Sequence, residues 1–268
     1  MTCFQPPIAV RSADATDIAC WRCGDGPPLV LVHGSGEDHE RWRPLAGRLA
    51  ARFSVWAIDR RGHGRSGRGA THSLRAEARD IDAVVRRIGS PAHLLGHSYG
   101  ALCCLEAASG GTPVASLTLH EPPVQLDAGP GSAAAARSLA LLRAGDREAV
   151  VGHFLREVVG APPAYVAMVR SMPTFSRLLA SADALPRELA AIERYRLDVE
   201  RLRRLTVPTL LLLGSSDCPA FLSAATAALH EAIGGSHVVL LPGRAHRAMD
   251  TALDAFVATL ADFLRDAG

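Results

Sequence analysis

Short runs of apolar residues alternate with longer amphipathic segments along much of this chain. Residues 28–32 are apolar at every position, and residues 53–58 and 92–96 are mostly apolar apart from Ser54 and His93. Such runs are typical of strands that are covered on both faces. Residues 74–88 instead carry apolar side chains three and four positions apart, which predicts an amphipathic helix. Strands that alternate with helices in this way indicate a mostly parallel sheet with helices on both faces.

The same alternation extends to both ends of the chain and gives an α/β fold with about eight strands in one central sheet. Two short strands are predicted within residues 7–23, and a further strand at 114–120. The remaining predicted elements are strands at 207–214 and 236–241 and helices at 39–51, 99–108, 219–233 and 247–264.

Residues 125–204 differ from the rest of the chain in their pattern of apolar and polar residues. They contain no strand-like run, and their Ala, Leu, Arg and Glu residues follow helical spacing that is interrupted by proline. We therefore expect a helical insertion at 125–204 in a core formed by residues 1–124 and 205–268.

Composition narrows the possible functions. The chain has 268 residues, 48% of them hydrophobic, and a net charge of +2, which fits one large globular domain and gives no reason to expect nucleic acid or a membrane surface as a partner. No apolar run reaches membrane-spanning length and no signal peptide is visible, so we expect a cytoplasmic protein with six free cysteines. All 29 basic residues are arginine, so lysine chemistry is excluded.

The most informative motif is G-H-S-Y-G at residues 96–100, which lies between a predicted buried strand and a predicted helix. In that context it describes a nucleophile elbow, a sharp turn that presents Ser98 at the carboxyl end of the strand. Gly96 and Gly100 allow the strand and the helix to approach closely. Ser98 is therefore the candidate nucleophile.

A serine hydroxyl needs a base within hydrogen-bonding distance, and the base needs an acid to orient it. Two later strands end in residues of the right type, Asp217 in G-S-S-D and His246 in P-G-R-A-H. The carboxyl ends of parallel strands meet at one edge of the sheet, so these residues can join Ser98. Glu121 also follows a strand, and it is the alternative acid.

The turn H-G-S-G at residues 33–36 follows the strand at 28–32. Its two glycines leave room for a substrate to approach the backbone. We expect the backbone N–H groups of Ser35 and Tyr99 to form an oxyanion hole, since preorganised donors stabilise the charge that develops on a carbonyl oxygen.

These motifs, together with D-R-R-G-H-G-R-S-G at residues 59–67, resemble those of the α/β-hydrolase fold in the same order along the chain. The resemblance covers residues 1–124 and 205–268, and the segment between them corresponds to the variable cap of that fold. It implies a serine hydrolase with Ser98, Asp217 and His246 as its triad and with no metal or cofactor. Some members of the fold carry the acid at the position of Glu121. Ala101 stands where the family often repeats glycine.

The expected reaction is cleavage of a carboxylic ester or related acyl bond of a small molecule through an acyl-enzyme. Candidate substrate contacts are Gly34 in the H-G-S-G turn and, in the cap, Phe154, Tyr165, Met168, Met172 and Phe175. Alternatives on the same scaffold are a non-hydrolytic or carbon–carbon-bond-cleaving enzyme and a catalytically silent binding protein. The sequence leaves the substrate open and allows a monomer or a homodimer.

Overall fold

A computed structural model of the chain describes residues 3–126, 133–216, 218–244, 246 and 248–267. Its described strands form one eight-stranded sheet in the order β1-β2-β4-β3-β5-β6-β7-β8. The sheet confirms the predicted fold class. The strands are β1 (Ile8–Arg11), β2 (Asp17–Cys23), β3 (Pro28–Val32), β4 (Ser54–Ile58), β5 (Ala92–His97), β6 (Val114–His120), β7 (Thr209–Ser216) and β8 (His237–Arg244).

Only the amino-terminal edge of the sheet is antiparallel. Strand β1 pairs with β2 and β2 with β4 in antiparallel fashion, whereas every pairing from β4 through β3 to β8 is parallel. The central strands are buried on both faces, which explains their continuous apolar runs.

Two layers of helices cover the sheet. Helices α2 (Leu74–Ile88) and α3 (Tyr99–Ser109) pack on one face, in the cluster that contains Ile81 and Leu102. Helices α1 (Arg43–Leu49) and α12 (Leu253–Asp266) pack on the other face, in the cluster that contains Leu45 and Phe256. The helices of the core are α1 (Arg43–Leu49), α2 (Leu74–Ile88), α3 (Tyr99–Ser109), α10 (Ala220–Ala232), α11 (Ala248–Thr251) and α12 (Leu253–Asp266).

The segment between β6 and β7, where the sequence predicts a cap and which is called the cap below, consists of helices joined by loops in its described part. Many of its buried side chains, among them Val150, Leu185 and Leu189, form a hydrophobic cluster separate from the two sheet-bound clusters, whereas Tyr195 and Leu202 join a sheet-bound cluster. No described helix combines the length and apolarity needed to cross a membrane. The helices of this segment are α4 (Ala134–Arg143), α5 (Arg147–His153) with a π-helical extension Phe154–Val158, α6 (Pro163–Ser171), α7 (Phe175–Ala180), α8 (Leu185–Arg194) and α9 (Val199–Leu202).

Two predicted helices are interrupted. The helix expected at 39–51 begins as a 3₁₀ turn, His39–Trp42, that is held by the backbone N–H of His39 donating to Asp59 Oδ1 at 2.8 Å, and α1 starts beside Pro44. Proline suits a helix start because its missing N–H would have no intrahelical partner there. The helix expected at 247–264 is broken at Ala252, whose φ of −140° lies outside the helical region.

We expect Phe256→Ala to lower the free energy of unfolding by about 3–5 kcal/mol, because the ring is fully buried between α12 and the sheet and its removal leaves a cavity. Phe221 on α10 is 50% exposed. The matched Phe221→Ala change should therefore cost less than about 1 kcal/mol. Urea unfolding of both variants measures the difference, and equal losses would contradict the assigned packing of α12.

Candidate active site

Ser98 lies at a strained turn between β5, which ends at His97, and α3, which begins at Tyr99. Its backbone φ of 53° and ψ of −124° lie in a region that a non-glycine residue rarely adopts. The glycines on either side explain how so tight a turn packs. A Cβ on Gly100 would lie 2.3 Å from the carbonyl oxygen of Val32, and one on Gly96 would lie 2.5 Å from that of Gly100. The sharp turn predicted around Ser98 is thus present.

His246 is paired with Glu121. The ring nitrogen Nδ1 of His246 lies 2.8 Å from Oε2 of Glu121, and the backbone N–H of Gly214 donates to the other carboxylate oxygen at 2.9 Å. Glu121 is fully buried and has a positive φ of 49°. A carboxylate that accepts a hydrogen bond from Nδ1 keeps the ring proton on Nδ1. This leaves Nε2 of His246 as a proton acceptor.

Asp217, the acid favoured by the sequence, lies outside the described residues. Glu121, the alternative, is the carboxylate that contacts His246. The sequence indicated Glu121 as a candidate by its position directly after β6. In the structure the backbone N–H of Glu121 continues the β6–β7 pairing by donating to the carbonyl oxygen of Leu212 at 3.1 Å. That pairing brings its side chain to the same sheet edge as Ser98.

The H-G-S-G turn lies against the elbow. A Cβ on Gly34 would lie 3.2 Å from Cβ of Ser98. Tyr99 is the first residue of α3, so its backbone N–H has no acceptor within the helix. The side chain of Tyr99 is buried with its ring under the guanidinium of Arg60, 4.7 Å away, and so Tyr99 offers the site only its backbone. The two predicted oxyanion donors, Ser35 and Tyr99, thus belong to adjoining turns.

Ser98 and His246 both line a cavity of about 380 Å³ between the sheet edge and the cap. Of the six candidate substrate contacts, five line it: Gly34, Phe154, Tyr165, Met172 and Phe175. Met168 is not among the lining residues, and it is 45% exposed. Its helix α6 turns Tyr165 and Val169 towards the cavity instead, one helical turn apart.

Sequence reasoning missed two groups of lining residues. One is apolar and comes from the cap, where helical periodicity alone did not show which face meets the core: Leu155, Val159, Val169 and Leu178. The other is charged and comes from the turn after β3, from the 3₁₀ turn His39–Trp42, from α7 and from α11: Glu37, Asp38, Glu40, Arg41, Arg177 and Asp250. The cavity therefore has an apolar wall and a charged wall.

Arg60, in the loop after β4, connects the site to the cap. Its guanidinium donates to Glu77 on α2 at 2.8 Å and to Glu188 on α8 at 2.5 Å. It also donates to the carbonyl oxygens of His33 and Gly34 at 2.9 and 3.1 Å, and all of these groups are buried. One buried guanidinium thus joins the cap, α2 and the H-G-S-G turn.

Ligand atoms of His72, Glu77 and Glu188 lie within 4.8 Å of one another, which makes these residues the metal-binding candidate of the described part of the chain. Arg60 already donates to both carboxylates. A divalent cation would add charge beside this buried guanidinium, so the donor set fits an ionic network better than a metal centre.

Burial raises the pKa of Glu188, but Arg60, and then His63 and Ser35, outweigh it and lower this pKa from 4.5 to about 2. A lowered pKa stabilises the fold above the unfolded-state value, and that stability is lost as pH falls towards the folded-state value. We expect Glu188→Ala to lower the free energy of unfolding by about 3 kcal/mol near neutral pH, since Arg60 loses a buried partner.

The difference in the free energy of unfolding between wild type and Glu188→Ala should become smaller as pH falls from about 4.5 towards 2. Urea unfolding of both proteins across this range measures it, and Glu200→Ala, which removes an exposed partner of Arg203, is the control. A difference that does not change with pH would contradict the ionic link.

Comparison with known proteins adds a family match to this geometry. Residues 29–259 match the model of the alpha/beta hydrolase family. The crystal structure of an alpha/beta hydrolase from Sphaerobacter thermophilus is similar over 96% of this chain and 100% of its own, with 33% identity and a TM-score of 0.85.

Among curated proteins, a pimeloyl-(acyl-carrier protein) methyl ester esterase from Neisseria meningitidis is 30% identical over 247 residues, which cover 88% of this chain and 93% of that protein. A probable oxidoreductase, EphD, from Mycobacterium tuberculosis is 37% identical over 100 residues. That match covers 35% of this chain, and the chain spans only 17% of the length of that relative.

Proposed function

Because this chain belongs to the alpha/beta hydrolase family, we propose that it is a serine hydrolase that cleaves a carboxylic ester or related acyl bond of a small molecule. The observation that carries the proposal is the strained Ser98 elbow on the same cavity as a histidine whose Nδ1 is held by a buried carboxylate. The similar Neisseria protein is named as a methyl ester esterase, which supports ester chemistry.

The proposed reaction uses this chain's own residues in two halves. His246 Nε2 removes the proton of Ser98 Oγ as that oxygen attacks the substrate carbonyl, and the Ser35 and Tyr99 N–H groups stabilise the oxyanion. Protonated His246 then gives its proton to the leaving alcohol, which leaves an acyl group on Ser98. Water, activated by the same histidine, attacks this acyl-enzyme and releases the acid.

We assign the orienting acid to Glu121 in preference to Asp217. Its support is the 2.8 Å contact with His246 Nδ1, together with the bond from Gly214 N–H that fixes the second carboxylate oxygen. A carboxylate so placed selects the useful tautomer of the ring and stabilises the imidazolium that forms during the reaction.

The cavity supports a small substrate with an apolar acyl group. Its volume of about 380 Å³ lies in the range of small-molecule sites, and cap residues such as Phe154, Val169 and Leu178 supply an apolar wall beside Ser98. Met172 and Val159 also line the cavity and are partly exposed.

Hydrolysis of p-nitrophenyl esters from acetyl to decanoyl tests the proposal. The intact protein should turn over, and Ser98→Ala should lose at least about 10³-fold in kcat because the nucleophile is gone. A fluorophosphonate should label the intact protein and not the variant. If the intact protein neither hydrolyses an ester nor takes the label, the proposed function is wrong.

A second experiment compares the two candidate acids. Glu121→Gln should lower kcat about 10²- to 10⁴-fold, because the amide no longer stabilises the imidazolium or holds the right tautomer. Asp217→Asn should retain most of the activity. The opposite order, with the larger loss in Asp217→Asn, would return the role of the acid to Asp217.

A further inference from the structure

Glu37 follows the H-G-S-G turn and folds back onto it. Its Oε2 accepts a hydrogen bond from the backbone N–H of Gly34 at 3.0 Å. This N–H group belongs to the peptide unit next to the one that carries the Ser35 N–H. The carboxylate of Glu37 therefore restrains the orientation of the turn that carries one of the two proposed oxyanion donors.

The same carboxylate oxygen lies 3.4 Å from Nδ1 of His97, the residue that immediately precedes Ser98. His97 is 3% exposed, and its other ring nitrogen lies 3.3 Å from the carbonyl oxygen of His246. Both neighbours accept hydrogen bonds, and a carboxylate is the stronger acceptor, so the single proton of a neutral ring belongs on Nδ1. The His97 ring also packs on the His246 ring, with centroids 4.7 Å apart.

The second oxygen of Glu37 is held by Arg41. Arg41 Nε lies 3.1 Å from Oε1 of Glu37, and Arg41 Nη1 pairs with Asp250 on α11, four residues after His246. Burial raises the pKa of Glu37, but Arg41 and His97 outweigh it and hold this pKa well below its usual range. Glu37 is therefore ionised and contacts three separate parts of the site.

We propose that Glu37 is a positioning residue that holds the H-G-S-G turn in place relative to the nucleophile elbow and to the proposed base, His246. The inference rests on the proposed hydrolase function. The Glu37 carboxylate contacts His97, which in turn contacts the His246 backbone, and it pairs with Arg41, which in turn pairs with Asp250. Its third contact is the hydrogen bond from the Gly34 N–H. Oxyanion donors are effective only when they are aimed before the reaction at the oxygen that gains charge.

The pairing with Arg41 also reduces the repulsion between the Glu37 carboxylate and a negatively charged substrate oxygen. A carboxylate near the oxyanion hole opposes the negative charge that develops on the substrate oxygen. The guanidinium of Arg41, which is mostly buried beside it, offsets that charge. Glu37 can thus supply a rigid acceptor to Gly34 with little repulsion of the transition state.

The test compares kcat and KM of Glu37→Ala and Glu37→Gln with those of wild type on p-nitrophenyl butyrate, together with the rate of fluorophosphonate labelling. Glu37→Ala should lower kcat about 10- to 100-fold with little change in KM, because oxyanion donors act mainly in the transition state. Labelling should slow in parallel. Glu37→Gln keeps one carbonyl oxygen for Gly34 N–H, so it should recover much of the loss.

Glu106→Ala is the matched control, because Glu106 forms a comparable, partly exposed pair with Arg201 at 2.9 Å near the carboxyl-terminal end of α3 and does not line the cavity. It should leave kcat unchanged, and urea unfolding of every variant corrects for loss of folded protein. If the wild type is active, an unchanged kcat in Glu37→Ala, or equal losses of kcat in Glu37→Ala and Glu37→Gln, would overturn the positioning role alone. An inactive, unlabelled wild type would overturn the proposed function and this role with it.

Discussion

The candidate site depends on the parallel register of the central strands. Val32 pairs with Gly96, His97 with His120, and His120 with Leu212, so β3, β5 and β6 end at the same level of the sheet, where β7 continues beside them. The H-G-S-G turn, Ser98 and Glu121 each follow directly from one of these strand ends. A shift of one strand by one residue would reverse its side chains and separate these groups.

Much of this arrangement could be predicted from the sequence, because the signals are local. The apolar runs at 28–32 and 92–96 mark strands buried on both faces, and the glycines around Ser98 mark a turn too tight for a side chain. Both follow from short-range sterics, and a Cβ on Gly100 only 2.3 Å from Val32 O shows how severe that restriction is. A sequence pattern can report such a restriction without knowledge of distant contacts.

The identity of the acid and the face of each cap helix could not be predicted in the same way. Glu121 and Asp217 follow neighbouring strands, so both satisfy the rule that reactive groups collect at carboxyl ends. The 2.8 Å distance to His246 Nδ1 and the bond from Gly214 N–H to the second carboxylate oxygen are what favour Glu121. Likewise, Met168 and Val169 are adjacent on α6, and the packing of the cap on the core decides that Val169 lines the cavity. These choices depend on long-range contacts, which periodicity does not encode.

Long-range ion pairs also explain how several charged side chains can lie together around the H-G-S-G turn. Two carboxylates flank the H-G-S-G turn, Glu37 from its own loop and Glu188 from the cap, and each is paired with a guanidinium. Arg41 and Arg60 offset the negative charge locally, so the carboxylates can act as fixed hydrogen-bond acceptors and ion-pair partners. Arg60 also donates directly to the carbonyl oxygens of His33 and Gly34. The turn is therefore restrained at the Gly34 N–H by an acceptor and at the His33 and Gly34 carbonyl oxygens by a donor.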